Sequence, residues 1–370
     1  MTEPIRVLHV LGATNIGGAE SRIMDMYRNI DKEKVQFDFL VHTDKECFFN
    51  KEIRELGGRI YSVPRFRMYN YFAYKKALET FFDAHCEFKA VHGHMTSTAA
   101  IYLPIAKKAG IPMTIAHARS AGVDQGIKGK LTNWLRKHLS ERTDYCFACS
   151  RIAGEAVYGE RWVKAGKVKV IPNAIETDKF VYDSAVREQL RNELGLQNAY
   201  VIGHVGRFHY AKNHEFLVQI FAEIRKRKEN AVLLLLGDGS LITSVKEQVK
   251  QLGLEQSVIF MGNQTDVAKY YQAMDYLVFP SRFEGMPGTI VEAQAAGLPC
   301  LISDSITGEV KVTELVQYAS LNETPAEWAD KVCAWKDKER KSHVDELISA
   351  GFDVKIQVKW YERFYTRGIL

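Results

Sequence analysis

The residues best suited to bind an anionic ligand lie in the segment 280–292, which follows an apolar run at 276–279. Its tight turn consists of Gly285, Met286, Pro287 and Gly288. The helix that follows begins with unpaired N–H groups at the positive end of its dipole, and such an end attracts anions. Glu284 lies in the loop before this turn and Glu292 in the early helix, where a carboxylate can reach over the strand ends. The alternative is a plain helix start with two solvated acids, but the glycines and the proline favour a site.

A second segment, 205–213, carries two cations in a comparable position. A predicted strand at 201–206 ends at Gly206, so Arg207 emerges at the carboxyl edge of the sheet and Lys212 stands just before the next helix. In open α/β sheets, ligands bind at that edge. A diphosphate carries about two negative charges at neutral pH, and one arginine with one lysine can neutralise it without a metal. Two exposed surface cations are the alternative interpretation.

Two adjacent glycines, Gly17 and Gly18, follow the first predicted strand. Glycines at a strand-to-helix turn let a ligand approach the backbone closely. The pattern is not the Gly-x-Gly-x-x-Gly fingerprint of dinucleotide binding, and the segment 237–242 also lacks the last glycine of that fingerprint. The sequence contains no Gly-Lys-Ser/Thr phosphate loop. The sequence therefore lacks the main motifs that would indicate an NAD-dependent enzyme or a P-loop NTPase.

Three histidines, His92, His94 and His117, stand at predicted strand ends. His92 and His94 share one face of a strand and could bind zinc, but no Asp, Glu or Cys stands near them in sequence, so we expect no metal. A lone histidine is more often structural than catalytic, and His117 is the best placed of the three for a cleft. Cys146 and Cys149 fall largely within an apolar strand, and we interpret them as buried thiols rather than a redox or zinc pair.

The elements that must position these residues alternate along the chain. Strands are predicted at 5–11, 36–41, 59–63, 90–94, 113–117, 145–148, 201–206, 231–236, 258–261, 276–279 and 300–303. Helices are predicted at 18–30, 46–56, 71–85, 97–109, 127–142, 213–228, 241–252, 265–273, 288–296 and 324–335. Alternating strands and helices indicate an α/β protein with parallel sheets. Two such blocks, which meet near Pro172, predict two Rossmann-like domains.

The chain ends in a predicted helix at 352–365. Its apolar residues recur every four positions, at Phe352, Ile356, Trp360 and Phe364. A single apolar stripe of this kind predicts a helix that docks on another element.

The composition fits globular domains. The chain has 370 residues, of which 46% are hydrophobic and 26% are charged, and its six cysteines are scattered. These values exclude a disordered, collagen-like or disulfide-scaffold protein. No apolar run approaches the roughly 18 residues of a membrane span, and the first apolar stretch is too short for a signal-peptide core. We therefore expect a cytoplasmic protein.

The net charge of +5 hides an asymmetry. Residues 1–174 contain 27 Lys and Arg against 18 Asp and Glu, whereas residues 175–370 contain 23 against 27. The basic part includes the segment 127–142, whose apolar residues are Ile127, Leu131, Trp134, Leu135 and Leu139. Such a helix most simply covers the sheet, but its basic flank also allows contact with anionic lipid head groups.

Together these motifs resemble the retaining glycosyltransferases of family four. The matching features are Gly17-Gly18-Ala19-Glu20, Gly206-Arg207 with Lys212, Glu284 with Glu292, and the Pro172-Asn173 seam. Their order and spacing span nearly the whole chain. The resemblance implies a GT-B fold, in which two Rossmann-like domains with parallel sheets face each other across a cleft and the C-terminal helix crosses back to the N-terminal domain. It assigns 1–174 plus 353–370 to the acceptor side and 175–352 to the nucleotide-sugar donor.

The resemblance implies roles for residues of the donor domain. Arg207 and Lys212 would bind the diphosphate and stabilise the leaving nucleotide. Glu292 would bond the ribose hydroxyls. Glu284 would hold the donor sugar together with the backbone amides of the turn, which are those of Gly285, Met286 and Gly288, since Pro287 has no N–H.

In the other domain, Gly17 and Gly18 would approach the phosphate and the sugar from the opposite wall of the cleft. His117 matches the family's histidine near the reacting face of the donor sugar. The residues expected to act in catalysis are therefore His117, Glu284, Arg207 and Lys212.

The implied activity is a retaining transfer from a nucleotide sugar, more often a UDP-sugar than a GDP-sugar, to a glycan or lipid-linked acceptor in cell-surface polysaccharide biosynthesis. The resemblance implies no metal, no cofactor and no nucleic-acid partner. It is consistent with a cytoplasmic enzyme that lies peripherally on the inner face of the membrane.

Other activities stay open from the sequence. A nucleotide-sugar epimerase or a phosphorylase would keep the GT-B architecture and change the reaction. A non-catalytic sugar-nucleotide binding protein would bind the same ligand without catalysing a reaction.

Overall fold

The computed structural model describes residues 3–122, 127–336 and 339–368, and the chain divides into two units. Unit 1 contains residues 1–174 and 354–370, and unit 2 contains residues 175–353. Asp353, expected in the first domain, lies in unit 2. It forms a β-bridge with Ile175, and its carboxylate accepts a hydrogen bond of 2.7 Å from the hydroxyl of Thr177.

Seven parallel strands form the sheet of unit 1. They are β1 (Ile5–Val10), β2 (Val35–Val41), β3 (Ile60–Ser62), β4 (Phe88–Gly93), β5 (Met113–Ala118), β6 (Tyr145–Ala148) and β7 (Val168–Val170). Their spatial order is β3-β2-β1-β4-β5-β6-β7. Most of these strands are buried on both faces, as parallel strands covered by helices should be.

The helices of unit 1 connect these strands. They are α1 (Gly18–Asn29), α2 (Asn50–Glu55), α3 (Tyr71–Ala84), α4 (Thr96–Lys108), α5 (Ile127–Arg136), α6 (Arg151–Tyr158) and α7 (Glu160–Lys164). The expectation that α5 buries its apolar stripe is wrong at Trp134, which is 70% exposed, while Leu131 and Leu135 are half-buried. The side chains of Ile127 and Lys128 lie outside the described residues.

Unit 2 repeats the architecture with six parallel strands. They are β8 (Tyr200–Val205), β9 (Ala231–Leu236), β10 (Val258–Gly262), β11 (Tyr276–Phe279), β12 (Cys300–Ser303) and β13 (Val316–Ala319), in the order β10-β9-β8-β11-β12-β13. Its helices are α8 (Ser184–Glu193), α9 (His214–Arg227), α10 (Ile242–Gln251), α11 (Val267–Ala273), α12 (Gly288–Ala295), α13 (Pro325–Cys333) and α14 (Val344–Ser349). The two parallel sheets confirm the predicted α/β class.

The last helix, α15 (Val354–Arg367), belongs to the core of unit 1, so the predicted return of the chain is confirmed. Its buried face consists of Val354, Val358, Tyr361, Phe364 and Tyr365. The predicted stripe was wrong at Ile356, which is 53% exposed. A helix has about 3.6 residues per turn, so a spacing of four drifts around the helix and cannot stay on one face.

Each sheet reverses its strand order once. In unit 1 the reversal falls between β1 and β4, and in unit 2 it falls between β8 and β11. The loops that leave the carboxyl ends of two such strands diverge and open a crevice, which is where open α/β sheets bind ligands. Among the described residues, no helix is both long and apolar enough to cross a lipid bilayer.

Candidate functional site

The strand reversal of unit 2 brings the two predicted anion-binding segments together. The loop after β8 carries Lys212, and the loop after β11 carries Glu284. Their side chains form an ion pair in which Lys212 Nζ lies 2.7 Å from Glu284 Oε1. Lys212 Nζ also lies 4.6 Å from the centre of the Phe279 ring at the end of β11. Both side chains are mostly buried, so the pair is held at the carboxyl edge of the sheet.

Arg282 joins the same two loops, and the sequence motifs assign it no role. Its backbone N–H donates to the carbonyl of Ala211 at 2.7 Å, and its Nη1 donates to Asn213 Oδ1 at 2.8 Å. Its guanidinium lies 4.5 Å from the centre of the Tyr210 ring. Asn213 has a φ of 56°, a left-handed conformation that asparagine tolerates better than most residues. These contacts fix the loop that presents Lys212.

Arg207 is exposed beside this pair. No hydrogen bond or ion pair of the described residues involves its guanidinium, which leaves a full positive charge at the edge of the sheet. The preceding Gly206 lets the side chains of His204 and Lys212 pack close to the backbone. A Cβ at this position would lie 3.2 Å from both His204 Nε2 and Lys212 Cε. The arrangement therefore offers one neutralised and one unneutralised cation to an anionic ligand.

The glycines at 237 and 239, which fail the dinucleotide fingerprint, have a structural explanation. Gly237 and Gly239 have φ values of 129° and 158°. A Cβ at either position would overlap with the backbone of Gly206 or Phe208. The loop after β9 thus packs directly on the backbone that carries Arg207.

The start of α12 lies at the same edge. Pro287 precedes the helix and Gly288 opens it, so the first N–H groups have no partner within the helix. The hydroxyl of Thr289 donates to the carbonyl of Val205 at 3.2 Å, which ties this helix to the end of β8. The first turn of α12 is therefore held against the strand that leads to Arg207.

Glu292 is only 6% exposed, and the hydroxyl of Tyr271 donates to its Oε2 at 2.7 Å. Burial is the main cause that raises the pKa of Tyr271, and the Glu292 carboxylate adds to the shift. Tyr271 lies on α11 and could not be paired with Glu292 from sequence. It orients the carboxylate predicted to meet the ribose.

In unit 1, four histidines cluster where the central strands end. His9 pairs in register with His92 across β1 and β4, and His117 lies on β5, the next strand. His9 Nδ1 lies 3.0 Å from His94 Nε2, and His92 Nε2 lies 3.0 Å from His117 Nδ1. All four rings are buried, and burial with the nearby Arg119 charge lowers their pKa values, that of His9 to about 3. The imidazoles are therefore neutral at pH 7.

Three of these histidines, His9, His92 and His94, have ring nitrogens within 4.8 Å of one another, a spacing at which side chains can coordinate a metal ion. The chemistry of the cluster does not fit one. A metal needs free imidazole lone pairs, but the Nδ1 atoms are engaged by neighbouring groups, and Arg119 Nε lies 3.3 Å from His94 Nδ1. A fixed positive charge at that distance opposes a second cation.

Gly17 and Gly18 begin α1 at the carboxyl edge of β1. Gly17 has a φ of −166°, which any residue adopts, and a Cβ on Gly18 would meet no atom within 4 Å. Neither backbone strain nor packing within unit 1 therefore demands glycine at position 18. The close approach of a ligand to this backbone stays a prediction from the sequence.

A cavity of about 400 Å³ in unit 2 lies away from these residues. Its lining includes Tyr200, Asp275 and Pro299, which precede or begin β8, β11 and β12 at their amino ends. It therefore opens at the edge opposite Lys212 and Glu284 and does not contribute to the candidate site.

Comparison with known proteins gives the family. A model of "Glycosyltransferase Family 4" matches residues 16–179, and a model of "Glycosyl transferases group 1" matches residues 199–337. EpsF of Bacillus subtilis, which is named as a glycosyltransferase, is 34% identical over 362 residues, covering 95% of this chain and 94% of EpsF. The chain belongs to the group 1 and family 4 glycosyltransferases.

This glycosyltransferase is 27% identical over 226 residues to the Escherichia coli UDP-Gal:alpha-D-GlcNAc-diphosphoundecaprenol alpha-1,3-galactosyltransferase, covering 59% of this chain and 58% of that enzyme. The structure of Anabaena HepE with UDP and glucose matches it with a TM-score of 0.78 and 18% identity, covering 98% of this chain and 100% of HepE. At that identity the likeness supports the fold alone. The fold is that of the GT-B glycosyltransferases.

The predicted site residues of this glycosyltransferase fall into two groups. In unit 2 the structure gathers its group at one sheet edge: Arg207, Lys212, Glu284, Gly285, Met286, Pro287, Gly288 and Glu292. In unit 1 it places Gly17, Gly18 and His117 after or at the ends of central strands. The role of each residue stays a prediction. The sequence analysis did not single out Arg282, Tyr271 or His9, because each contacts a partner that is distant in sequence.

Proposed function

We propose that this glycosyltransferase moves a sugar, with retention of anomeric configuration and without a metal ion, from a UDP-sugar to a glycan or lipid-linked acceptor in cell-surface polysaccharide biosynthesis. HepE binds UDP in its solved complexes, and the name of the E. coli relative states a UDP-sugar donor and a diphosphoundecaprenol-linked acceptor. The name of the relative supports the donor and acceptor classes proposed for this chain, and HepE is an example of the same fold holding UDP.

The observation that carries the proposal is the pair of cations at the strand reversal of unit 2. Lys212 is held 2.7 Å from Glu284, and Arg207 has no partner among the described residues. A donor diphosphate would accept hydrogen bonds from Lys212, and the positive charge of Arg207 would offset part of its negative charge. Glu284, released from Lys212, could then accept hydrogen bonds from sugar hydroxyls.

The chemistry follows from where charge develops. The bond between the anomeric carbon and the β-phosphate oxygen breaks while the acceptor hydroxyl oxygen bonds to that carbon, and the hydroxyl proton passes to the departing phosphate oxygen. Negative charge grows on the departing diphosphate, where Lys212, Arg207 and the first N–H groups of α12 can stabilise it. We assign no covalent nucleophile, because Glu284, once the donor has released it from Lys212, is assigned to the sugar hydroxyls.

A metal ion has no task in this scheme. In metal-dependent transferases a divalent cation neutralises the diphosphate, and here two side-chain cations stand where that charge is needed. The acids near this edge, Glu284 and Glu292, are engaged by Lys212 and Tyr271 rather than grouped as oxygen ligands.

The activity is tested with a panel of UDP-, GDP- and ADP-sugars, with and without EDTA. The expected result is transfer or donor hydrolysis that EDTA leaves unchanged, with an axial or equatorial product configuration equal to that of the donor. Loss of all turnover on chelation would contradict the metal-free mechanism, and an inverted product would contradict retention.

Two other outcomes would indicate the alternatives. Release of a sugar phosphate in the presence of free phosphate would show a phosphorylase. Epimerised nucleotide sugar without transfer would show an epimerase, and UDP binding with no turnover of any donor would show a binding protein.

We also propose that unit 1 contacts an anionic membrane surface through exposed aromatic residues after β3. This aromatic surface consists of Met68, Tyr69, Tyr71 and Phe72, of which Tyr69 and Phe72 are 82% and 84% exposed. No Asp or Glu occurs between Glu55 and Glu79, a stretch that contains five Lys and Arg. Exposed aromatic rings flanked by cations suit the interface of an anionic bilayer.

Trp134 is a further exposed aromatic residue of unit 1. It is exposed on α5 beside the exposed Lys130 and Lys137, and α4 packs against both α3 and α5. Cations within a Debye length of an anionic surface contribute roughly 1 kcal/mol each.

Flotation with phosphatidylglycerol-containing vesicles tests this contact. The variant Tyr69→Ser/Phe72→Ser should lose most binding, because it removes two interfacial rings. Leu252→Ser, which removes an exposed apolar side chain from unit 2, is the matched control and should bind as the wild type does. Equal binding of the wild type to neutral and anionic vesicles would contradict the charge argument.

A further inference from the structure

Two hydrogen-bonded chains run through the histidine cluster of unit 1, and one begins on the C-terminal helix. In this chain the hydroxyl of Tyr365 lies 2.6 Å from His92 Nδ1, and His92 Nε2 lies 3.0 Å from His117 Nδ1. Tyr365 and His92 are separated by 273 positions in the sequence. Residues of α15 thus reach His117 through a single imidazole.

The direction of this chain follows from its first group. Within the described part of the chain, the only acceptor near the Tyr365 hydroxyl is His92 Nδ1. A buried hydroxyl without an acceptor costs about 1–3 kcal/mol, so Tyr365 donates and His92 Nδ1 accepts. A neutral imidazole has one N–H, so His92 donates from Nε2 to Nδ1 of His117. The proton of His117 must then reside on Nε2.

The second chain fixes the tautomer of His9 by the same reasoning. Arg119 Nε donates to His94 Nδ1 at 3.3 Å, and a guanidinium cannot accept a hydrogen bond. His94 therefore donates from Nε2 to His9 Nδ1, 3.0 Å away. The first chain ends on the Nε2–H of His117, and the second ends on the Nε2–H of His9. Neither N–H has a partner among the described residues, although both rings are fully buried.

We propose that Tyr365 is a positioning residue, which through His92 holds His117 in the Nε2–H tautomer so that His117 donates a hydrogen bond to a hydroxyl oxygen of the donor sugar. This inference rests on the proposed function, because the sugar is the ligand assigned to His117. His117 itself would touch the substrate, and Tyr365 would act only through it.

The protein contains a matched control for Tyr365 on the same helix, α15. Tyr361 lies one turn before Tyr365, is equally buried and stacks on it with ring centres 5.6 Å apart. Its hydroxyl has no hydrogen-bond partner among the described residues. Tyr361→Phe and Tyr365→Phe therefore remove the same atom from the same environment, but only the second breaks the chain to His117.

The test is the tautomer of His117 in protein enriched with 15N-histidine, its signals assigned with His117→Asn. The wild type and Tyr361→Phe should show a protonated Nε2 and an unprotonated Nδ1 on His117. Tyr365→Phe should show a mixture of the two tautomers, and His92→Leu, which removes the donor nearer to His117, should do the same. A single unchanged tautomer in both variants would overturn the proposal.

The second readout is the affinity for UDP-glucose compared with that for UDP. One hydrogen bond contributes about 0.5–1.5 kcal/mol, so Tyr365→Phe should weaken UDP-glucose binding about 2- to 13-fold and leave UDP binding unchanged. Unchanged binding of both ligands would overturn the positioning role. If the wild type turned over no nucleotide sugar, the proposed function would fail, but the tautomer comparison would still decide whether Tyr365 controls His117.

Discussion

At the level of single residues, the candidate site consists of side chains that hold one another before any ligand binds. Lys212 is fixed by Glu284 and by the ring of Phe279, and Glu292 is fixed by Tyr271. Side chains that are held in place need little reorganisation when charge develops on a ligand, but under the proposed function the donor must first separate Glu284 from Lys212. Arg207 differs, because no side chain of the described residues holds its exposed guanidinium.

Gly18 allows a prediction that separates stability from activity. A Cβ at this position meets no atom within 4 Å, and alanine is the better helix former by up to about 1 kcal/mol. Gly18→Ala should therefore keep or slightly raise the melting temperature. If a donor phosphate or sugar approaches this backbone, the added methyl group should lower kcat/KM at least tenfold. Thermal unfolding and steady-state kinetics measure the two effects, and unchanged kinetics would refute the glycine's assignment.

The sequence pattern is informative for residues that act within a local motif and uninformative for their partners. Lys212 and Glu284 could be found because each follows a strand in a segment rich in turn residues. Arg282, Tyr271 and Tyr365 could not, since their partners lie 69, 21 and 273 positions away. Such pairing depends on the order of strands in the sheet, and the sequence predicts alternation of elements more readily than their order.

At the level of elements, α15 is part of the core of unit 1 rather than an appendage. Phe364 is fully buried and packs against Tyr145, Phe147 and Trp360. The apolar spacing predicted a docked helix but misplaced its buried face at Ile356. The error arises because a spacing of four residues exceeds the 3.6 residues of a helical turn, so such a stripe cannot stay on the buried face.

Truncation of Phe364 measures how much α15 contributes. Phe364→Ala should lower the free energy of unfolding by about 3–5 kcal/mol, because it removes a buried ring and leaves a cavity. Ile356→Ala, on the exposed side of the same helix, should cost less than about 1 kcal/mol. Urea denaturation of both variants compares them. Equal small losses would mean that α15 does not pack on unit 1 as described.

At the level of the whole molecule, the two units differ in net charge, and we expect both to lose stability at acidic pH. Divided at the structural boundary, unit 1 has 31 Lys and Arg against 19 Asp and Glu, and unit 2 has 19 against 26. The basic unit is the one with the exposed aromatic surface. Both units bury neutral histidines, among which His204 and His214 of unit 2 have pKa values lowered by burial to about 4 and about 2.

These histidines predict the pH dependence of stability. Below about pH 6.5 the unfolded chain binds protons that the folded chain does not, so each buried histidine lowers the free energy of unfolding by up to ~1.4 kcal/mol per pH unit. Stability should therefore fall steeply between pH 6.5 and 5. In urea denaturation at several pH values, His9→Gln should reduce this slope by about one proton. His138→Gln, at an exposed position, should leave it unchanged, and equal slopes for all three proteins would contradict the account.

The most direct test of the central claim, that the edge of unit 2 binds the donor diphosphate, is the calorimetric affinity for UDP of two lysine variants. Lys212 and Lys228 each stack on an aromatic ring of unit 2, but Lys228 lies over Tyr200 at the opposite edge of the sheet. A hydrogen bond to a charged group contributes about 1.5–3 kcal/mol, so Lys212→Met should raise the Kd of UDP roughly 10- to 100-fold. Lys228→Met should leave the Kd at the wild-type value. The same Kd for Lys212→Met and the wild type would contradict the claim.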